Sequence, residues 1–218
     1  MLTIYGVYRS RAIRPLWVLE ECNTPFTHIP VIQAYRLTDT TSTSAALNTA
    51  MPDYLAINPL GQVPAMRDGA LLLTESLAIC LHIARKYGGA IGPASDDEAS
   101  VMEQWALFAA TAIEPAAIEI LYTTRDGQSA TPTGEGIIRL AAEKLKRPLA
   151  RLEAHLATQD WLMNRFTVAD IMVAECLRYA QSHTPLLAAS PHTARWLTAA
   201  QARPAFRTVW AKRAAEPE

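Results

Sequence analysis

The stretch from Asn58 to Tyr87 decides the fold of this chain; it runs N-P-L-G-Q-V-P-A-M-R-D-G-A-L-L-L-T-E-S-L-A-I-C-L-H-I-A-R-K-Y. Asn58-Pro59 and Leu60-Gly61 are typical of turns, because proline fixes φ and glycine tolerates positive φ. Asp68-Gly69, between two short apolar runs, predicts a hairpin. Thr74-Glu75-Ser76 then opens an amphipathic helix. The stretch therefore predicts a turn, a strand, a hairpin, a second strand and a helix.

Two features of this stretch can bind a ligand. Pro64 cannot donate a ladder hydrogen bond, so the backbone of Val63 is left free to pair with an extended peptide. Glu75 and Ser76 stand at the predicted helix N-terminus, where unpaired N–H groups and the helix dipole attract an anion. A peptide with an α-amino acid head at one end would fit both features. The alternative is a plain hairpin followed by an ordinary capped helix.

The order Q-V-P, D-G and then T-E-S at a helix start resembles the glutathione site of the soluble glutathione S-transferases. The resemblance implies that Pro64 is cis, that Val63 pairs with the cysteinyl backbone of glutathione, and that Gln62 lies near the same tripeptide. It also implies that Glu75 and Ser76 bind the γ-glutamyl end. With two further matches described below, the resemblance covers essentially the whole chain.

Composition narrows the class of protein. The chain has 218 residues, 50% of them hydrophobic, and a formal net charge of −1. It has no basic cluster that would indicate nucleic acid, no uninterrupted apolar run of about 18 residues and no secretory signal. Three widely spaced cysteines and five scattered histidines favour a reducing compartment and no metal site. We therefore expect a cytoplasmic protein without nucleic-acid, membrane or metal partners.

The pattern of elements predicts two domains. Residues 1–87 indicate strand, helix, strand, a polar connection from Thr38 to Pro52, then the hairpin and helix. This order is that of an α/β thioredoxin-like N-terminal domain, a name that the resemblance supplies. Residues 94–218 follow a glycine-rich break and look entirely helical, so we expect an all-α C-terminal helical domain. The resemblance implies that residues 1–87 bind glutathione and that residues 94–218 carry the electrophile pocket.

The helical half contains two predicted capping motifs and two prolines. Ser95 is followed three residues later by glutamate, which is a capping box. Pro115 predicts a kink. Pro148 predicts either a bend or a division into two shorter helices, within a helical pattern whose leucines 140, 145, 149 and 152 face inward. In Asn164–Asp170, N-R-F-T-V-A-D, the threonine and the aspartate can cap one helix reciprocally. That pattern is similar to the capping motif of the C-terminal domain in the same family, where its role is folding.

A transferase of this kind must hold the glutathione thiol as a thiolate. A free thiol has a pKa of about 8.5, and lowering it by two units requires about 2.7 kcal/mol. One hydroxyl hydrogen bond to the anion supplies about 1.5–3 kcal/mol, and a helix N-terminus adds about 0.3–1 kcal/mol. Ser10 stands at the start of the first predicted helix. Its run S-R-A-x-R resembles that of bacterial, serine-using transferases, which makes Ser10 the first choice for the catalytic residue.

Other residues compete for this role. Tyr5 is the rival, since the tyrosine-using classes place a hydroxyl near the end of the first strand; Tyr8 is a third choice, and Arg11 could assist by charge. Ser10 could also be only a helix cap. The chain lacks the S-S-C motif of the zeta class and has no cysteine near position 10, which puts isomerase and cysteine-based chemistry in doubt.

The predicted function is conjugation of the glutathione thiolate to an electrophilic, partly apolar small molecule, a detoxifying reaction, by a homodimer. Trp105, Phe108 and Tyr122 could offer aromatic surface to that electrophile, although their helical spacing is more typical of a core. The alternatives are a glutathione-binding or protein-interaction module with little transferase activity, and a glutathione-dependent peroxidase or disulfide reductase. The fold alone does not separate them.

Overall fold

A four-stranded sheet forms the centre of the N-terminal part of the protein. The computed structural model describes residues 1–40 and 46–216, so part of the predicted loop from Thr38 to Pro52 lies outside the described residues. The strands are β1 (Leu2–Tyr5), β2 (Thr27–Ile29), β3 (Ala65–Asp68) and β4 (Leu71–Leu73), in the order β2-β1-β3-β4. β1 pairs parallel with β2 and antiparallel with β3, which pairs antiparallel with β4.

Within the described residues up to Tyr87, three α-helices alternate with or follow the strands: α1 (Ile13–Glu21), α2 (Pro52–Leu55) and α3 (Ser76–Tyr87). The order β-α-β followed by β-β-α confirms the predicted thioredoxin-like arrangement. Pro30 follows β2, which is an edge strand as its proline indicates. The apolar face of α1 is fully buried at Leu16 and Trp17. A helix of nine residues is marginally stable alone, so packing against the core stabilises α1.

A buried carboxylate joins the hairpin to α3. Asp68, at the end of β3, accepts hydrogen bonds from Lys86 at 2.7 Å and Tyr87 at 2.9 Å and lies 2.9 Å from His82 Nε2. Hydrogen bonds from Lys86 and His82 hold the pKa of Asp68 well below its usual range. The Asp-Gly pair that predicts the turn therefore also anchors the helix that begins at Ser76.

The chain forms two compact units, residues 1–92 with 204–218, and residues 93–203. The last helix, α10 (Pro204–Ala215), thus packs with the sheet unit, and its Phe206 ring contacts Trp17 edge-on at 4.9 Å. The sequence-based division into 1–87 and 94–218 differs from this packing at α10. The sequence of α10 contains no signal for this packing, because the helix contacts residues about 190 positions earlier in the chain.

The second unit is helical. Its helices are α4 (Asp96–Phe108), α5 (Glu114–Arg125), α6 (Pro132–Leu156), α7 (Val168–Leu177), α8 (Thr184–Ala188) and α9 (Pro191–Gln201). A π-helical segment, Ala109–Ile113, precedes Pro115, so the predicted irregularity takes the form of a wider turn. Pro148 lies inside α6, which is one continuous helix rather than two. Leu140 is 56% exposed, so the prediction that it faces inward is wrong.

The predicted capping motif of α7 is present and buried. The Thr167 side chain accepts from the N–H of Ala169 at 3.3 Å, and Asp170 accepts from the N–H of Thr167 at 2.9 Å. Asp170 also accepts from the N–H of Leu162 at 2.9 Å and from Trp196 Nε1 at 2.8 Å. Burial raises the pKa of Asp170 to about 6, against the pull of these donors. One side chain therefore joins the start of α7 to α9 and to the preceding loop.

The cap of α4 differs from its prediction in one bond. Ser95 Oγ accepts from the N–H of Glu98 at 3.2 Å, as predicted, but Glu98 accepts from the N–H of Ala94 rather than from that of Ser95. Glu98 also pairs with Arg165 at 2.8 Å through both oxygens. The helix start is thus tied to the loop that precedes α7.

The helical stretch Asp96–Arg125 is long and apolar enough to cross a membrane by length and composition alone, which a count of uninterrupted apolar residues misses. Core helices of globular proteins meet the same criterion. Trp105, Ala109, Ile113 and Ile120 on this stretch are buried, so core packing accounts for part of its hydropathy.

Candidate active site

One end of the sheet collects the three segments singled out by the sequence. β1 ends at Tyr5 opposite Ala65, the first residue of β3, and Leu73 at the end of β4 pairs with Met66. The loop after β1, the Val63–Pro64 turn before β3 and the start of α3 after β4 therefore lie at the same end. Ser10, Val63 and Ser76 belong to these three segments, so the structure brings together the residues that the sequence predicts as one site.

Gly6 sets the spacing between two of these segments. Its φ is +136°, and a Cβ added there would lie 2.9 Å from Ala12 Cβ and 3.2 Å from Val63 Cβ. Only glycine allows this approach without displacing a neighbour. The start of the loop that carries Ser10 therefore passes close to Val63.

The turn that presents Val63 is held by two side chains. The Val63–Pro64 bond is cis, as the resemblance implied. The Tyr54 hydroxyl and the Asn58 side-chain N–H both donate to the Gln62 carbonyl, at 2.6 and 2.7 Å. With that carbonyl fixed, the half-buried Val63 has a defined backbone orientation. Sequence reasoning missed Tyr54, which is fully buried; it lies four residues before the N-P-L-G turn, in a stretch that contains no motif.

The start of α3 is open to a ligand. In the described part of the chain no side chain caps it, and Glu75 at the N-cap position has a φ of +65°, which side-chain-bearing residues rarely adopt. Glu75 is exposed, whereas Ser76 is only 6% exposed. Two acceptor-seeking groups thus meet there: the first N–H groups of the helix and the Ser76 hydroxyl. Such a site can hold a carboxylate.

A buried arginine supports Ser76. Arg14, on α1 and 1% exposed, donates through Nη1 to Ser76 Oγ at 2.9 Å. Because the guanidinium only donates, the Ser76 hydroxyl accepts from it and keeps its own hydrogen for a ligand. The role of Arg14 was missed, although it is the last letter of the S-R-A-x-R run that pointed to Ser10.

Ser10 lies in the turn that leads into α1. Its hydroxyl donates to the Val7 carbonyl at 2.7 Å and accepts from the N–H of Ala12 at 3.0 Å. The side chain is half-buried, so a ligand atom can approach it. The donated hydrogen can rotate from Val7 to an anion while the bond from Ala12 remains, and that bond makes the hydroxyl a stronger donor.

The rival hydroxyls are less accessible. Tyr5 is 9% exposed and packs in a cluster with Tyr54, Val31 and Ala65. Tyr8 is 7% exposed, and burial raises the pKa of its hydroxyl. Arg11 is exposed in the same loop as Ser10.

The three aromatic residues predicted to offer surface to the electrophile differ in how much of the ring is exposed. Trp105 is 2% exposed and contacts Phe108 and His155 edge-on, with Arg151 against its ring. It is a core residue, as its helical spacing favours. Phe108 is half-buried, and Tyr122 is 41% exposed, so these two rings retain accessible surface.

Comparison with known proteins assigns the family. Residues 9–86 match the glutathione S-transferase N-terminal domain, and residues 115–199 match the glutathione S-transferase C-terminal domain. "Glutathione S-transferase 3" of Zea mays is 33% identical over 94% of this chain and 91% of the relative.

Solved structures agree. Glutathione transferase F7 from Populus trichocarpa superposes with a TM-score of 0.81 at 26% identity, covering 98% of this chain and 99% of that one. A glutathione S-transferase-I bound with lactoylglutathione has a TM-score of 0.78 at 26% identity, covering 97% and 99%. These relatives do not specifically support the bacterial, serine-using part of the resemblance. The chain belongs to the glutathione S-transferase family.

Proposed function

We propose that this chain binds glutathione at the sheet end formed by Ser10, Val63 and Ser76 and conjugates its thiolate to an electrophilic, partly apolar small molecule. The observation that carries this proposal is the convergence of three ligand-binding features on one surface: a hydroxyl, a free strand edge beside a cis proline, and an open helix N-terminus. The family assignment and the neighbour bound with lactoylglutathione support it.

Each part of the tripeptide has a partner of matching chemistry. The Val63 backbone pairs with the cysteinyl backbone of glutathione, with Gln62 and Pro64 on either side. The Ser76 hydroxyl and the first N–H groups of α3 receive the γ-glutamyl carboxylate, and the exposed Glu75 carboxylate receives its ammonium. Charge complementarity at both ends therefore fixes the orientation in which the thiol faces the loop after β1.

Ser10 then activates the thiol. A thiolate held by the Ser10 hydroxyl gains about 1.5–3 kcal/mol, which is enough to lower the thiol pKa by one to two units. On binding, the Ser10 hydroxyl turns its hydrogen from the Val7 carbonyl to the thiolate. This exchange favours the thiolate, since hydrogen bonds to ions are about twice as strong as neutral ones. The burial of Tyr5 and Tyr8 in the core supports Ser10 over either tyrosine.

The protein's own cysteines do not favour disulfide chemistry. Cys80 and Cys176 are buried, and burial raises the pKa of Cys22 to about 11. A thiol is nucleophilic as its thiolate, so conjugation by bound glutathione is the better-supported activity.

The remaining parts of the proposal follow from the family resemblance. The electrophile binds on residues 94–218, where Phe108 and Tyr122 keep exposed ring surface. The protein is a cytoplasmic, detoxifying homodimer; the exposed apolar side chains Val101 and Leu107 on α4 are compatible with a partner surface. No metal takes part.

The decisive experiment is a titration of glutathione bound to the Ser10→Ala variant, read by the ultraviolet absorbance of the thiolate. We expect the thiol pKa to rise by one to two units, about 1.5–3 kcal/mol, and the conjugation rate at neutral pH to fall with it. Tyr5→Phe is the matched control, because it removes a hydroxyl and keeps the ring, and it should leave the pKa unchanged.

The outcomes separate the candidate roles. An unchanged pKa in Ser10→Ala with a raised pKa in Tyr5→Phe would transfer the role to Tyr5. Tight glutathione binding with no thiolate in the unmodified protein would instead indicate a binding module without transferase activity.

A further inference from the structure

The residue that follows α10 holds the loop that carries Ser10. Glu216 accepts from two consecutive backbone N–H groups, that of Tyr8 through Oε1 and that of Arg9 through Oε2, both at 2.7 Å. Each carboxylate oxygen thus has its own N–H donor. Two short bonds to one carboxylate are the geometry of charge-assisted hydrogen bonds. A segment more than 200 positions away in sequence thereby fixes the two residues directly before Ser10.

The same segment also binds the other side of this backbone. Arg213 donates through Nη1 to the Tyr8 carbonyl at 3.1 Å. The helix that carries Arg213 is itself anchored on α1, since Phe206 contacts Trp17 and Lys212 pairs with Glu20 at 3.0 Å. The N–H and the C=O of Tyr8 are therefore both held by the C-terminal segment, which rests on the helix that Ser10 precedes.

The contacts of Ser10 itself are local. Its hydroxyl bonds to Val7 and Ala12, both within the turn. Gly6, directly before the turn, is held by Ile29 and His28, so the position of Ser10 depends on what holds the residues between Gly6 and Ser10. Within the described residues, Glu216 and Arg213 bond the Tyr8 and Arg9 backbone from outside the turn, and Gln33 lies 3.5 Å from the Arg9 carbonyl. The Tyr8 ring also packs edge-on against His28, with 5.1 Å between the ring centroids. The carboxylate makes the two shortest of these.

We propose that Glu216 is a positioning residue for Ser10. By binding the Tyr8 and Arg9 amides, its carboxylate holds the Ser10 hydroxyl at the distance and angle at which it donates to the glutathione thiolate. This inference rests on the proposed role of Ser10, and it adds that the C-terminal segment is part of the activating apparatus. Glu216 bonds the loop and is not assigned to the tripeptide, so its loss should change glutathione affinity less than the loss of a contact at Val63 or Ser76.

The test compares Glu216→Ala with Glu143→Ala in the full-length protein, using glutathione and chlorodinitrobenzene as the probe electrophile. Glu143 is an exposed glutamate that pairs with Lys146, three residues later on α6. We expect Glu216→Ala to lower kcat roughly threefold to tenfold, as small misplacement of a catalytic group does. It should also raise the pKa of the bound thiol. The KM for glutathione should stay within about twofold of that of the unmodified protein. Glu143→Ala should change none of the three. Arg213→Ala should change them in the same direction as Glu216→Ala, by a smaller factor.

Ser10→Ala, measured in the same series, separates the positioning role of Glu216 from the activating role of Ser10. A fall in kcat with Ser10→Ala and none with Glu216→Ala would overturn the positioning role and leave the proposed function intact. No fall in kcat with Ser10→Ala would overturn the proposed role of Ser10, and with it the positioning role of Glu216 that rests on it. A lower melting temperature in Glu216→Ala with an unchanged thiol pKa would show a purely structural contact and would also overturn the positioning role.

Discussion

Two helix N-termini in this protein have similar sequences but different roles: one stabilises the fold and the other is available to a ligand. At α7 the motif is Thr-Val-Ala-Asp, and at α3 it is Thr-Glu-Ser. Both place small polar residues before an apolar helix, which is the ordinary signature of a helix start. The first is filled from within the chain, whereas the second is left open.

The difference lies in where the donors find acceptors. At α7 the Asp170 carboxylate receives the N–H groups of Leu162 and Thr167 and the indole of Trp196, all buried. At α3 the N-cap residue is the exposed Glu75 with a φ of +65°, and no described side chain caps the helix. A helix start that satisfies its own donors stabilises the fold, and one that does not can bind an anion. The comparison predicts that changes at α7 act on stability and changes at α3 act on affinity.

The largest effect is expected for Asp170→Ala. The substitution leaves the N–H groups of Leu162 and Thr167 and the Trp196 indole without their acceptor in a buried site. Each orphaned donor costs about 1–3 kcal/mol, so we expect a loss of about 3–5 kcal/mol in the free energy of unfolding, measured by urea denaturation. Thr167→Ser keeps the capping oxygen and should lose less than about 1 kcal/mol. A loss of similar size in both variants would show that packing of the buried Thr167 methyl group, rather than the acceptor supplied by Asp170, carries the stability.

The next effect is expected for Ser76→Ala, and it concerns glutathione. Loss of a hydroxyl donor to a carboxylate should weaken binding by about 1.5–3 kcal/mol, roughly tenfold to a hundredfold in Kd, as measured by calorimetry. Ser95→Ala is the matched control, since Ser95 is also a serine at a helix start and its hydroxyl caps α4. It should lower stability by about 1 kcal/mol and leave the Kd unchanged. Equal affinity for the two variants would contradict the assignment of the open terminus to the ligand.

Both termini could be predicted from sequence because their information is local. Thr167 and Asp170 are three residues apart, and Glu75 and Ser76 are adjacent, so spacing alone places them at the first turn of a helix. The turn around Pro64 is equally local, which is why the resemblance could specify its cis bond.

The supporting residues could not be found in this way. Arg14 contacts Ser76 across 62 positions, and Glu216 contacts Tyr8 across 208. Neither contact produces a periodicity or a motif, because it depends on how the elements pack. The same reason explains why the division predicted from sequence differs from the packing at α10, and why Leu140, on an otherwise regular apolar stripe, is exposed.

The smallest effect is expected for Glu75→Gly, and it tests whether the open terminus carries a cost in stability. A residue with a side chain at φ +65° loses about 1–2 kcal/mol relative to ordinary backbone, and glycine avoids this while adding some entropy to the unfolded state. We expect the variant to be more stable by up to about 1 kcal/mol, measured by thermal and urea denaturation, and to bind glutathione more weakly. Glu75→Gln keeps the backbone conformation and the side-chain length and removes the charge. It should therefore share the loss of affinity without the gain in stability, and a glycine variant no more stable than the glutamine variant would show that the conformation at this terminus is not strained.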